Sequence, residues 1–269
     1  LGGLALLAHF IADRLHSKLP LHFDGHVSKG YESVQKAFEQ NFIDGWESEG
    51  ASFAVYVKGQ KVVDLWGGYA DKQAARIWKE NTISVAFSTT KAVAAVCIAM
   101  LADRGRLKYD DLVSKHWPGF AKNGKENITI EWVMSHMAGL PYFDTQITEE
   151  MARDHNLMRK VIENETPKRP AGKSSGYHLL TYGWLVDQIV RHTDEKHRGV
   201  GQFLREEITK PNGSVKIPFQ NSAVRKAMDN PSWFDVAYKC TVNNPEQHAL
   251  EQAAATGIGN ARSLAAIFN

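Results

Sequence analysis

From Ala92 to Leu101 the chain reads Ala-Val-Ala-Ala-Val-Cys-Ile-Ala-Met-Leu, with no polar position to interrupt it. A helix that lacks a polar stripe has to be enclosed by the rest of the fold. The chain must therefore supply packing layers around this one segment, and Gly105 marks where it stops.

Candidate layers are visible on both sides. Tyr31 to Trp46 carries Val34, Ala37, Phe38, Phe42 and Ile43 on one face, which predicts an amphipathic helix. Ala51 to Val57 and Lys61 to Trp66 are rich in strand formers. With Lys58-Gly59-Gln60 as the turn they predict an antiparallel hairpin, closed by Gly67-Gly68. Thr82 to Phe87 reads as extended and runs into Ser88-Thr89-Thr90-Lys91. Further helices are expected over Ile130 to His136, Glu149 to Asn164, Thr181 to His192, Gly201 to Ile208 and Ser263 to Phe268. Pro167, Pro170 and Gly172 mark a loop before Tyr177. Little strand signal follows residue 90. The pattern is that of an α+β domain with an incomplete sheet.

Composition narrows the function. The 269 residues can bury a substantial core, and a net charge of +2 without a basic stripe argues against nucleic-acid binding. The 11 histidines show no metal-ligand spacing. Cys97 and Cys240 cannot make a disulfide framework, and Cys97, inside the apolar run, is expected to be buried and inert. Leu1 to Ala12 is apolar but too short to span a bilayer. It reads as the remnant of a signal peptide or membrane anchor, or else as a leader or a helix packed on the domain. The expected division is residues 1–28 as leader or anchor and 29–269 as the folded domain, membrane-anchored or secretory, otherwise soluble and intracellular. Sequons at Asn127–Thr129 and Asn212–Ser214 fit secretion.

Two Ser-x-x-Lys matches occur, Ser33 to Lys36 and Ser88 to Lys91. About one is expected by chance in a chain this long, so context decides between them. Ser33 falls inside the amphipathic first helix. Ser88 falls where an extended segment enters the apolar helix, among unpaired N–H groups and the positive end of the helix dipole. Lys91, three residues on, returns to the same face. Burial among alanines would lower its pKa and make it a base for the hydroxyl. The plainer alternative makes Ser88 a helix cap and Lys91 a surface residue.

Phe87-Ser88-Thr89-Thr90-Lys91-Ala92 resembles the active-site motif of class C-type β-lactamases and related esterases. Asp64-Leu65-Trp66-Gly67-Gly68-Tyr69-Ala70-Asp71 resembles the end of that family's first hairpin. Leu107 to Leu112 with Trp117-Pro118, and Ile128-Thr129-Ile130 through Ser135-His136-Met137-Ala138-Gly139-Leu140-Pro141, resemble its later signatures. A weaker echo lies at Ala255 to Gly259. The likeness is nearest to β-lactamase-domain proteins of animals.

The resemblance implies a β-lactamase/transpeptidase-like α+β fold, an antiparallel sheet flanked by helices with a mostly helical subdomain. It implies Ser88 as acyl nucleophile, Lys91 as its base and Tyr177, at the Tyr of the family's Tyr-x-Asn motif, as a second proton-transfer residue. No metal or organic cofactor is required. The partner is a small acyl substrate, ester or amide; oligomeric state is not readable. Leu179 stands where the family has asparagine, which puts β-lactam or peptide amides in doubt and points toward esters or another acyl substrate. The resemblance thus implies a serine acyl-hydrolase or acyl-transferase, an esterase or peptidase-like hydrolase rather than a true β-lactamase. His178 is not expected to be catalytic. The third motif, Lys-Thr-Gly or His-x-Gly, is not found; His197-Arg198-Gly199 and Lys122-Asn123-Gly124 match it loosely, in loop-like stretches. The domain is therefore expected to lack the family's C-terminal strands. The rival to a hydrolase is a catalytically impaired scaffold or assembly protein that keeps the fold.

Overall fold

The computed structural model describes residues 19–211, 252–254 and 257–269. The suggested leader or anchor up to residue 18, the second sequon and Cys240 lie outside the described residues. So do Ala255 and Thr256. Chain contacts divide the protein into two units, one reaching to Thr82 and including Asn260–Asn269, the other spanning Ile83–Gly259.

In the first unit β1 (Phe23–Val27) is followed by helix α1 (Glu32–Ile43) and the hairpin strands β2 (Gly50–Val57) and β3 (Gln60–Asp71). Lys58 and Gly59 both take positive φ, +49° and +79°, the handedness that a two-residue hairpin turn needs to match strand twist. The predicted hairpin is present, but β3 continues to Asp71 instead of closing at Gly67-Gly68. Gly68 sits at φ +73°, and a Cβ there would lie 2.2 Å from the Glu49 carbonyl, so glycine is needed within the strand. The strand order is β1-β3-β2, all antiparallel, with a short β4 (Arg76–Ile77) also pairing with β3.

The sequence reading placed Phe23–Val27 in the 1–28 leader. All five residues pair with β3, so the sheet reaches back to Phe23. The reason is packing. Phe23 meets Phe42 with ring centroids 5.2 Å apart, and Phe38 and Phe42 close over Val63 and Leu65. Each such buried side chain contributes about 1.5–3 kcal/mol. A two-stranded hairpin alone would be marginal.

In the second unit β5 (Ser84–Val85) leads into helix α2 (Thr89–Asp103). Gly105, at φ +67°, ends it as expected. The Arg106 N–H donates to the Leu101 carbonyl and the Gly105 N–H to the Ala102 carbonyl, a Schellman closure. Next come α3 (Val113–His116), α4 (Ile130–Met134), α5 (Glu149–Arg153), α6 (His155–Asn164), α7 (Thr181–Thr193) and α8 (Val200–Leu204). The single helix expected over 149–164 is two, because the Asp154 carboxylate accepts from the Asn156 and Leu157 N–H groups and starts a new helix. The 201–208 helix gives way to a π turn at Arg205–Thr209. A two-residue β6 (Ile258–Gly259) pairs with β5. Helix α9 (Ala261–Ile267) belongs to the first unit, where Arg262 reaches Asp64 at 3.2 Å.

Enclosure is distributed differently from the expectation. Val93, Ala94, Cys97, Ile98 and Leu101 of α2 are buried, but Ala92 and Ala99 are exposed. The helix enclosed on every face is α7, buried without a break from Thr181 to Val190 despite Asp187 and Gln188. Both polar groups are satisfied. Asp187 pairs with Arg191 at 2.8 Å and accepts the Val200 N–H, while the Gln188 amide donates to the His155 carbonyl. Among the described residues no helix is long and apolar enough to cross a membrane.

Candidate active site

Ser88 is the N-cap of α2, yet its hydroxyl makes no capping bond, and the side chain is exposed. The plain capping role is therefore not the one it plays. Its N–H is taken by no carbonyl among the described residues, although the next three N–H groups are all bonded. Phe87, just before it, holds φ +43°, a conformation that is costly for a bulky residue. Strain of this kind collects where a side chain must be presented in a fixed direction. The other match, Ser33 and Lys36, lies on the exposed face of α1.

Lys91 is buried, as expected from its place on the apolar helix. Its Nζ lies 3.5 Å from Ser88 Oγ and donates to the carbonyls of Leu179, at 2.8 Å, and Ala254, at 2.6 Å. Among the described residues no carboxylate pairs with it. Loss of water lowers its pKa to about 8. The face of the Tyr177 ring covers the amine, 4.8 Å from centroid to Nζ, with Tyr182 at 5.9 Å on another side. The structure thus brings Ser88 and Lys91 together, and Tyr177 joins them through its ring. The Tyr177 hydroxyl has no hydrogen-bond partner among the described residues, and the side chain is half exposed.

Two histidines, His136 and His178, lie beside Tyr177. His178 Nε2 accepts the Leu140 N–H at 3.0 Å, which leaves Nδ1 as the donor to the Gly176 carbonyl at 2.5 Å. The ring is therefore neutral, and burial pushes its pKa down to about 4. His136 Nδ1 accepts the His178 N–H, and its ring lies against Tyr177, with centroids 4.7 Å apart. Burial and the Lys91 charge lower it, too, to about 4. His178 is thus buried, with both ring nitrogens engaged by backbone groups. Cys97 is buried and its thiol pushed up to about 12, which makes it unreactive.

The loose third-motif matches sit elsewhere. Arg198 is locked in ion pairs with Asp194, Glu206 and Glu207, and the Asn123 amide donates to the Asn164 carbonyl. The sequence reading missed Ala254 and the carbonyl of Leu179, because a backbone acceptor leaves no trace in residue type.

The β-lactamase family model matches residues 38–269. The chain belongs to that family. It is 36% identical over 187 residues to the esterase/β-lactamase LipL of Mycobacterium tuberculosis, an alignment that takes in 70% of this chain and 42% of LipL. Among solved structures it resembles a penicillin-binding-protein homologue from Caulobacter crescentus, with 32% identity and a TM-score of 0.70 over 88% of this chain and 68% of that one. A family VIII carboxylesterase is similar at 28% identity and a TM-score of 0.74, again over 88% of this chain and 68% of that one. The chain thus spans about two fifths of LipL and about two thirds of these structures. The fold is the α+β arrangement of β-lactamases and transpeptidases, an antiparallel sheet with helices, as the motifs implied.

Proposed function

We propose that this β-lactamase-family protein is a serine acyl-hydrolase that works through an acyl-enzyme on Ser88 and prefers esters to β-lactams. The observation that carries the reading is the Lys91 amine, 3.5 Å from the Ser88 hydroxyl with two carbonyls around it. A neutral amine has two N–H bonds and one lone pair. With both N–H bonds given to Leu179 and Ala254, the lone pair is left for the Ser88 proton. Ser88 Oγ then adds to the substrate carbonyl carbon as its proton passes to Lys91. The unused Ser88 N–H, at the start of α2, faces the developing oxyanion. The tetrahedral adduct collapses, the ester C–O bond breaks, and the alcohol departs with the proton that Lys91 took from Ser88. Water repeats the sequence on the acyl-enzyme, with Lys91 again taking the proton.

Preference for esters rests on Leu179. Its carbonyl serves Lys91, but its side chain offers no hydrogen bond to a substrate amide. The likeness to a carboxylesterase and to an esterase/β-lactamase supports the same choice. We also place the chain with the class C-type branch near the animal β-lactamase-domain proteins, on its motifs, and assign the stretch before the sheet to a leader or membrane anchor. Leu179 also favours a second reading, a scaffold that has kept the fold. That reading gains if Ser88→Ala leaves the protein's cellular effect unchanged.

Treating the full chain with a fluorophosphonate and mapping the adduct by mass spectrometry tests the proposal. Label on Ser88, and none in Ser88→Ala, is expected. A folded protein that carries no adduct on Ser88 overturns it.

A further inference from the structure

Gly257–Gly259, three residues and more beyond the Ala254 carbonyl, are gripped from both sides of the nucleophile. On the upstream side, Ser84 and Val85 pair with Gly259 and Ile258, and the Ala86 N–H donates to the Gly257 carbonyl at 2.7 Å. On the downstream side, the Thr90 hydroxyl accepts the Gly257 N–H at 2.8 Å in a buried contact. Gly257 is therefore held by both its N–H and its carbonyl, and the two residues that hold it bracket Ser88. Earlier in the chain, Gln252 Oε1 accepts the Ala254 N–H at 2.9 Å. The helix α7 makes room for Gln252 only because position 183 is glycine. A Cβ there would lie 1.5 Å from Gln252 Oε1.

We infer that Thr90 is a positioning residue for the Lys91 base: by holding Gly257 it keeps the Ala254 carbonyl on one N–H of the amine and so aims the lone pair at Ser88. The inference rests on the acyl-hydrolase reading above. Of the two carbonyls around Lys91, that of Leu179 lies just before α7, remote in sequence from Thr90. That of Ala254 is three residues from the glycine that Thr90 holds. When the Ala254 carbonyl drifts, the amine can turn its lone pair away while Ser88 and Lys91 both remain in place. Besides the two carbonyls, Ser88, Tyr177 and Tyr182 face the amine, with His136 stacked behind the tyrosines, and among the described residues no carboxylate is there to take over the lost acceptor.

The test compares Thr90→Val, which keeps the shape and loses the acceptor, with Thr90→Ser, which keeps the acceptor. Steady-state hydrolysis of a p-nitrophenyl ester should show kcat lowered about tenfold to a hundredfold in Thr90→Val, with KM little changed. The midpoint of the pH profile of kcat/KM should move to lower pH, since the ammonium form has lost an acceptor. Thr90→Ser should restore most of the rate and the original midpoint. If Thr90→Val does not fold, Thr90→Cys replaces it, with a weaker acceptor and an intermediate loss expected. Wild-type rate and midpoint in the Val or Cys variant, or a Ser variant as impaired as Val, overturns the inference. Fluorophosphonate labelling separates the two levels. An unlabelled wild type sinks the hydrolase reading and this inference with it. Equal labelling rates in wild type and Thr90→Val sink only the role of Thr90.

Discussion

Among its described residues the second unit buries two lysines, and for both the loss of water pulls the pKa down to about 8. Lys125 Nζ donates to the carbonyls of Lys122, at 2.8 Å, Glu163, at 3.1 Å, and Glu165. Three acceptors meet three N–H bonds, so losing a proton would leave a buried carbonyl without a donor. Lys91 has two carbonyls and a hydroxyl. When it loses a proton, every remaining N–H is still used and the new lone pair has a hydroxyl beside it. A depressed pKa therefore does not by itself mark a base. The count and kind of neighbours decide what the deprotonated amine can do.

Substitutions that keep the bulk of each lysine test this contrast most strongly. Lys91→Met is expected to lower kcat/KM for ester hydrolysis about 10³-fold, while Lys125→Met leaves the rate per folded molecule near wild type. Equal losses in assays on both variants would erase the distinction. Next comes stability. Lys125→Met strips the donors from three buried carbonyls and should cost about 2–3 kcal/mol in urea unfolding, more than Lys91→Met does. A Lys125→Met protein as stable as wild type would mean that the three carbonyls are not the reason for the lysine.

The pH profile sharpens the comparison further. If Lys91 acts as a neutral base, kcat/KM rises with pH about a midpoint near 8, and Lys125→Met leaves that midpoint unmoved. A midpoint that follows the Lys125 substitution would assign the titration to the wrong amine. On the acid side, His136 and His178 hold folded-state values of about 4, below the usual 6.5. Between those limits the unfolded chain binds more protons than the folded one, so stability falls as pH drops from 6.5 toward 4. Urea midpoints flat across that window would contradict the neutral, hydrogen-bonded rings around Tyr177. The smallest effect is reserved for the decoy motif. Ser33→Ala, on an exposed helix face, should change stability by less than about 0.5 kcal/mol and leave ester hydrolysis as it was.

The hairpin, the first helix and the end of α2 were all legible, because strand alternation, a one-sided apolar stripe and Gly105 act within a few residues. The adjacency of Ser88 and Lys91 was legible for the same reason, since helical geometry carries it. Two things misled the reading. β1 looked like leader because Phe23–Val27 has no alternation of its own and gains its place by pairing with β3. Enclosure on every face was expected of α2, yet α7 is the helix that is buried throughout, because Asp187 and Gln188 find partners at the Val200 N–H and the His155 carbonyl. Tyr177 was placed near Lys91 by motif order, but the contact is made by its ring face, which no motif specifies.

Sequence alone determined that a hydroxyl and an amine would share one helix start, because three residues along a helix return to the same side whatever surrounds it. Only the tertiary structure decided what that amine would be. Its two carbonyl partners lie 88 and 163 residues away along the chain. Every residue but the last offers a peptide carbonyl, so a backbone acceptor becomes specific only when folding brings it within about 3 Å of the donor.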